Sequence, residues 1–134
     1  GMARVLGGAV AVSSFTGTLT GMTTTVTGTV NTYVTGNNVT LYASFTGTSN
    51  ATTMTLTGLP SGLQPATLDQ QIPIIMTNNG ISTSYGCALI SHASGTIFMF
   101  NMQGTTCLSN AFTGTGTKGF STAGQGTVIS YLLN

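Results

Sequence analysis

Charge is what this sequence has least of. Its 134 residues carry two basic side chains, Arg4 and Lys118, and one acidic side chain, Asp69, so that charged residues make up 2% of the chain. An ordinary soluble domain has about 25%. With a net charge of +1, the chain cannot make the several phosphate contacts that electrostatic binding to nucleic acid requires. It also lacks the polybasic segment that holds a protein on an anionic membrane.

The side chains that carry acid–base and metal chemistry are equally scarce. There is one histidine, His92, and there is no tryptophan. A pair of catalytic carboxylates cannot be built from Asp69 alone, and one histidine with one carboxylate is too few for a metal site. A serine triad with His92 and Asp69 is formally possible, but no serine stands in a nucleophile-elbow context. We therefore predict a protein that is not an enzyme and has no cofactor, no catalytic residue and no metal ligand.

Long apolar runs are absent as well. No segment approaches the 18 apolar residues of a membrane-spanning helix, so we expect no membrane insertion. With 40% hydrophobic residues, the chain is nevertheless apolar enough to fold rather than stay disordered. Gly1-Met2 resembles a protease scar. We expect residues 1–12 to be this scar and an extended N-terminal arm, and residues 13–134 to form a single β-sandwich domain.

The chain has two cysteines, Cys87 and Cys107. Their separation does not show whether they lie within bridging distance of each other. They either pair as a disulfide or act as two small buried hydrophobic side chains, and the second interpretation is the one we favour from the sequence.

The residue types that are frequent in this sequence are those typical of strands and turns. Thr, Val, Ile, Phe and Tyr are frequent, and 19 glycines recur along the chain. The clearest alternation runs through Val39–Phe45, which with Asn31–Thr35 and the intervening Gly36-Asn37-Asn38 predicts a hairpin. Eight or nine strands at this spacing predict an all-β fold, specifically an antiparallel β-sandwich or jelly roll.

Binding through neutral groups is the chemistry that remains. Hydroxyls, amides and tyrosine rings hydrogen-bond and stack without formal charge. A second strong turn signal, Asn78-Asn79-Gly80, places several such groups close together in the sequence. The candidate ligand-binding residues are exposed turn and strand-end side chains: Asn78, Asn79, Ser82, Tyr85 and His92.

A longer stretch resembles a known kind of module. The run from Phe45, Phe-Thr-Gly-Thr-Ser-Asn-Ala-Thr-Thr-Met-Thr-Leu-Thr-Gly-Leu-Pro, and the later Leu63-Gln-Pro-Ala are similar to modules of phage and prophage tail-fibre-like proteins. The resemblance covers the chain from about residue 15 onward. It implies a homotrimeric jelly roll at a fibre end, made in the host cytoplasm and carried on the virion. Its distal loops would bind a host cell-surface glycan or protein.

The predicted function is therefore that of a non-enzymatic virion protein, a phage tail-fibre or receptor-binding head. The neutral surface independently favours an oligomer, since an almost uncharged monomer has little protection against association; the trimer is what the resemblance implies. The alternative is a structural capsid or decoration subunit that binds other virion proteins. That subunit would contact the outside of a shell, because the chain has no basic arm for packaging a genome.

Overall fold

Antiparallel β-strands make up most of this computed structural model, which describes residues 9–134. Eleven strands and one short 3₁₀ turn, Ser61–Leu63, follow one another along the chain. The strands are β1 (Ala11–Leu19), β2 (Val26–Thr35), β3 (Asn38–Ala43), β4 (Thr46–Thr48), β5 (Met54–Thr57), β6 (Gln70–Asn78), β7 (Ile81–Ile90), β8 (Thr96–Gln103), β9 (Thr106–Leu108), β10 (Thr117–Phe120) and β11 (Thr127–Leu132). Within residues 9–134, no helix is both long and apolar enough to cross a membrane.

The predicted all-β fold class is confirmed, whereas the predicted strand number is too low. The additional strands include β4 and β9, which have three residues each. Strands this short show no alternation that a sequence pattern could reveal. The glycine- and threonine-rich stretch Thr113–Gly119 contains the start of another of these strands, β10, at Thr117.

The N-terminal boundary also differs from the prediction. Strand β1 starts at Ala11, inside the predicted arm, and pairs with β2 along its whole length. Val12 stands opposite Tyr33 in this ladder. The predicted scar and most of the arm lie in residues 1–8, which are outside the described residues.

The predicted hairpin around Gly36 is present as β2 and β3. Thr35 pairs with Asn38 across the turn. Val39 and Leu41 point into the core as the alternation predicted. Phe45 lies beyond the end of β3 and packs edge-on against Phe120, with ring centroids 5.1 Å apart.

All eleven strands belong to one sheet. The strand order is β11-β3-β2-β1-β5-β8-β7-β6-β10-β4, and β9 pairs separately with β8. The sheet curls into a half-barrel, which brings β6 beside β11. Alternate side chains on the concave face form the core; its fully buried members include Leu41, Leu56, Met76, Ile90, Ile97 and Met99.

Side chains, rather than a backbone ladder, join β6 to β11 along a line that we call the seam. Gln70 Nε2 donates to the Leu132 carbonyl at 2.7 Å, and the Leu132 N–H donates to Gln70 Oε1 at 2.9 Å. Farther along, Thr127 Oγ1 donates to the Ile75 carbonyl at 2.7 Å. Each of these bonds contributes about 1 kcal/mol. The seam therefore holds the sheet closed through neutral groups.

The cysteines form a disulfide between β7 and β9, which corrects our preference for two unpaired cysteines. The Cα atoms of Cys87 and Cys107 lie 6.2 Å apart. Both residues are half-buried on the outer face of the sheet. The sequence could not reveal this pairing, because β9 is too short to predict and its position beside β7 depends on the β8–β9 turn.

Lys118 is the largest fully buried side chain. Its ammonium donates to the carbonyls of Ala51 and Thr53, at 2.7 Å each, and lies 5.5 Å from the centroid of the Phe112 ring. Burial lowers the pKa of Lys118 from 10.5 to about 8. Two carbonyls and an aromatic face thus hold a cation that has no carboxylate partner among the described residues.

Reduction of the disulfide should destabilise the fold by about 3 kcal/mol, because the bond joins cysteines 20 residues apart and so restricts the unfolded chain. Urea unfolding of the oxidised and reduced protein measures the difference. The double variant Cys87→Ser/Cys107→Ser should match the reduced protein and should not respond to reductant. An unchanged midpoint on reduction would contradict the expectation.

The stability of the protein should rise between pH 8 and pH 10. In this range the unfolded chain keeps the Lys118 proton while the folded chain releases it, so the free energy of unfolding increases, by up to about 2 kcal/mol. Above pH 10 the trend should reverse. Burial raises the pKa of Tyr131 above its usual 10.0, so the unfolded chain then loses a proton that the folded chain keeps.

Chemical denaturation at a series of pH values tests both limbs. Lys118→Met should remove the rise between pH 8 and pH 10, and Tyr131→Phe should weaken the fall above pH 10. A rise of equal size in Lys118→Met would show that another group causes it.

Candidate functional site

Tyr85 of β7 is the most exposed aromatic side chain among the described residues. Alternate residues of β7 point to opposite faces, so that Gly86 and Ala88 are buried while Tyr85 and Cys87 lie outside. Tyr85 is 62% exposed. It stands opposite Ile75 of β6, which is also exposed. The outer face of this part of the sheet is therefore apolar and accessible.

Three depressions adjoin one another on this face. The seam depression has a volume of about 460 Å³ and the disulfide depression about 410 Å³. Between them lies the amide depression, of about 290 Å³. Tyr85 lines the seam and amide depressions, and Met102 lines the amide and disulfide depressions. The two side chains thus link the three depressions.

The lining of each depression is neutral. The seam depression is lined by Pro73, Ile74, Ile75, Tyr85, Gly126 and Val128. The amide depression is lined by Asn78, Ser84, Tyr85, Asn101, Met102 and Gly104. The lining of the disulfide depression includes Gln71, Cys87, Leu89, Phe100, Met102 and Cys107. Among residues 9–134, no Asp, Lys, Arg or His contributes to any of the three linings.

The amide depression is lined by two asparagines, a serine and a tyrosine. Asn78 Oδ1 accepts a hydrogen bond from the Thr113 N–H at 3.1 Å, and Asn101 Nδ2 donates to the Ala111 carbonyl at 3.1 Å. These two bonds fix the loop from Ala111 to Thr113 against the sheet. Asn101 is only 8% exposed, and its Oδ1 has no hydrogen-bond partner among the described residues. A buried acceptor without a partner costs about 1–3 kcal/mol.

The turn beside this depression has the geometry that its sequence predicts. Asn78 pairs with Ile81, so that Asn79 and Gly80 are the two central residues. Both have positive φ, 50° and 77°, which Asn and Gly adopt more easily than other residues and which a tight hairpin requires. The Gly80 N–H donates to the Thr117 carbonyl at 2.9 Å. The turn is therefore tied to β10.

The structure brings together only part of the predicted set. Asn78 and Tyr85 line the same depression. Asn79 is on the adjacent turn, where its side chain lies against Gly116. Ser82 is half-buried, and its carbonyl accepts a hydrogen bond from the Ser121 hydroxyl at 2.8 Å. Neither Asn79 nor Ser82 lines the amide depression.

His92 lies beyond the opposite end of β7 from the Asn79 turn. Its backbone N–H donates to Asp69 Oδ1 at 2.9 Å, and its Nδ1 lies 2.6 Å from the same oxygen. The backbone hydrogen bond and, next, the ring hydrogen bond lower the pKa of Asp69 below 3.8. Both side chains are about half exposed. His92 therefore belongs to a surface ion pair rather than to the group around Tyr85.

Sequence reasoning missed four of the residues that line the amide depression: Ser84, Asn101, Met102 and Gly104. Asn101 carried a usable signal. It continues the buried alternation of Ile97 and Met99 in β8, and a polar residue in such a series requires a reason. The other three are ordinary strand or turn residues whose position depends on the fold.

The comparisons with known proteins do not identify the chain. No protein-family model matches it, and no curated protein is significantly similar to it. Within residues 9–134, no group of three or more His, Cys, Asp or Glu side chains is placed to hold a metal ion.

The pKa of Asp69 provides a test of the ion pair. In His92→Ala the pKa should rise but stay below 3.8, because the backbone N–H of residue 92, the larger cause of the shift, is retained. A ¹³C titration of the carboxyl carbon measures it directly. A pKa that returns fully to 3.8 would assign the whole shift to the imidazole ring.

Proposed function

We propose that this protein is a non-enzymatic virion protein, the receptor-binding head of a phage tail fibre. It recognises a host surface through neutral polar groups around Tyr85. The observation that carries the proposal is the amide depression, in which an exposed tyrosine ring and two asparagines line a surface without formal charge. The resemblance of the sequence from about residue 15 onward to tail-fibre-like modules supports it.

The chemistry of the outer face limits what it can recognise. Formal charges attract over long distances and accelerate encounter, but the described part of this face has none. Hydroxyls, amides and aromatic rings instead select a ligand by shape and by hydrogen bonds at contact distance. Such a surface suits adhesion to a dense array of neutral groups on a cell, where encounter does not limit binding.

We further propose that the head is a homotrimer with a jelly-roll architecture. Val12, Tyr33, Tyr42 and Val128 are exposed on the outer face of β1, β2, β3 and β11. Val12 stands opposite Tyr33, and Tyr42 opposite Val128. Monomeric proteins rarely leave contiguous apolar patches of this kind uncovered. In the trimer this face packs around the axis.

The disulfide is in keeping with a place on the virion surface. Disulfides persist in oxidising surroundings and are rare in the reducing cytosol. A chain made in the host cytoplasm would therefore form the Cys87–Cys107 bond after release. The bond joins β7 and β9 on the outer face of the sheet, where both cysteines are half-buried, so its late formation does not require the core to open.

Substitution of Val12, which is 67% exposed, tests the trimer. Multi-angle light scattering should give three times the chain mass for the unaltered protein. Val12→Asp should shift it to the monomer, because the substitution places three carboxylates in one apolar interface. Leu68→Asp, at a 64% exposed position outside that face, is the matched control and should stay trimeric. A monomeric unaltered protein would contradict the proposal.

Binding to intact cells tests the function. Fluorescently labelled protein should bind host bacteria, and unlabelled protein should displace it. Binding to purified capsids in place of cells would favour the alternative, a structural capsid or decoration subunit that contacts other virion proteins.

A further inference from the structure

We infer that the amide depression is a subsite for one neutral sugar ring. This inference deepens the proposed function and rests on it. Three observations lead to the inference: the polar groups on the surface of the depression, the absence of charge, and the rigidity of its rim.

The polar groups of the depression offer both donors and acceptors. The amide N–H groups of Asn78 make no hydrogen bond within the described residues, because only its Oδ1 is engaged, by Thr113. Ser84 Oγ donates to the Ile81 carbonyl at 2.8 Å and keeps its acceptor capacity. A ligand hydroxyl both donates and accepts hydrogen bonds, so it can pair with the Asn78 amide donors and with the Ser84 acceptor.

The orientation of Asn101 is fixed. Its Nδ2 donates to the Ala111 carbonyl, so that exchanging the amide N and O would place two oxygens together. The side-chain oxygen is therefore held as an acceptor without a partner beneath the depression. This oxygen is buried, so the groups that meet a ligand directly are those on the surface of the depression.

The absence of formal charge around the depression argues against cationic and anionic ligands. The lining of the depression has no formal charge. Asp69 and His92 lie beyond the other end of β7, and the ammonium of Lys118 is engaged by two backbone carbonyls. A cationic or anionic ligand would lose hydration here without gaining an ion pair. The exposed ring of Tyr85 offers the apolar face on which a sugar ring packs.

The size and rigidity of the depression fit a single ring. Its volume of about 290 Å³ lies near the lower limit of roughly 300 Å³ for small-molecule pockets. The rim is held by the Asn79-Gly80 turn and by the loop that Asn78 and Asn101 anchor. Little ordering is therefore needed when the ligand binds.

Nuclear magnetic resonance titration of the ¹⁵N-labelled whole chain tests the subsite. The probes are methyl glucopyranoside, methyl galactopyranoside, methyl mannopyranoside and N-acetylglucosamine, with glucuronic acid as the charged counterpart. At least one neutral sugar should shift the side-chain amides of Asn78 and Asn101, with millimolar affinity, and glucuronic acid should bind more weakly. No shift at these amides with any neutral probe overturns the inference, as does a shift confined to the disulfide depression.

Surface variants avoid the danger that Asn101 substitutions fail to fold. Tyr85→Ala should weaken sugar binding about tenfold, and Tyr85→Phe should retain most of it. Phe98→Ala is the matched control, because Phe98 is an exposed aromatic residue of the same sheet that lines none of the three depressions. Equal loss in Tyr85→Ala and Phe98→Ala would overturn the inference.

Comparing the sugar titration with the cell-binding assay, on the same protein preparations, separates the subsite from the proposed receptor-binding function. Cell binding that survives in Tyr85→Ala, without sugar shifts in the unaltered protein, leaves the receptor-binding function standing and removes the subsite. Sugar shifts at Asn78 and Asn101 without any cell binding leave the subsite standing and contradict the proposed function.

Discussion

The closure of the sheet along the seam is the constraint on which the rest of the structure depends. Strands β6 and β11 lie side by side without a backbone ladder, and Gln70 and Thr127 supply the missing hydrogen bonds. Because Gln70 both donates to and accepts from the backbone of Leu132, it reproduces one rung of a β-ladder. Neutral side chains thus join the two strands, as charged pairs join elements on many protein surfaces. They also place Ile75 and Val128 on either side of the seam depression.

The buried ammonium of Lys118 extends this arrangement to the candidate site. Lys118 holds the carbonyls of Ala51 and Thr53, and the carbonyl between them, that of Thr52, accepts a hydrogen bond from the Phe112 N–H. Next to Phe112, the Thr113 N–H donates to Asn78. A continuous series of contacts therefore connects the ammonium to the rim of the amide depression. This explains why the fold keeps a costly buried charge: the same cation organises two loops that have no regular structure of their own.

The sequence could predict those features that depend on neighbouring residues. Alternation placed Val39 and Leu41 in the core, and Asn79-Gly80 fixed a tight turn. The sequence could not predict features that depend on contacts between distant segments. The pairing of Cys87 with Cys107 required the position of β9, and the burial of Lys118, in a run of glycine and threonine that reads as a loop, required the carbonyls of a segment more than 60 residues away. The sequence shows that Asn101 is a polar residue in a buried alternation, but only the folded structure shows that its side-chain oxygen has no hydrogen-bond partner among the described residues.

The proposed subsite and the proposed trimeric head depend on each other. A shallow depression with a few neutral hydrogen bonds suits millimolar affinity, which corresponds to about 4 kcal/mol and cannot hold a particle on a cell. In the proposed trimer, three copies convert the second and third contacts into intramolecular events, and avidity then exceeds the single-site affinity by about 10²-fold or more. Each single contact would remain easily broken, so the proposed head could exchange receptors on a surface before it settles. Under this proposal an almost uncharged protein binds through repeated weak contacts, because it has no strong single interaction to use.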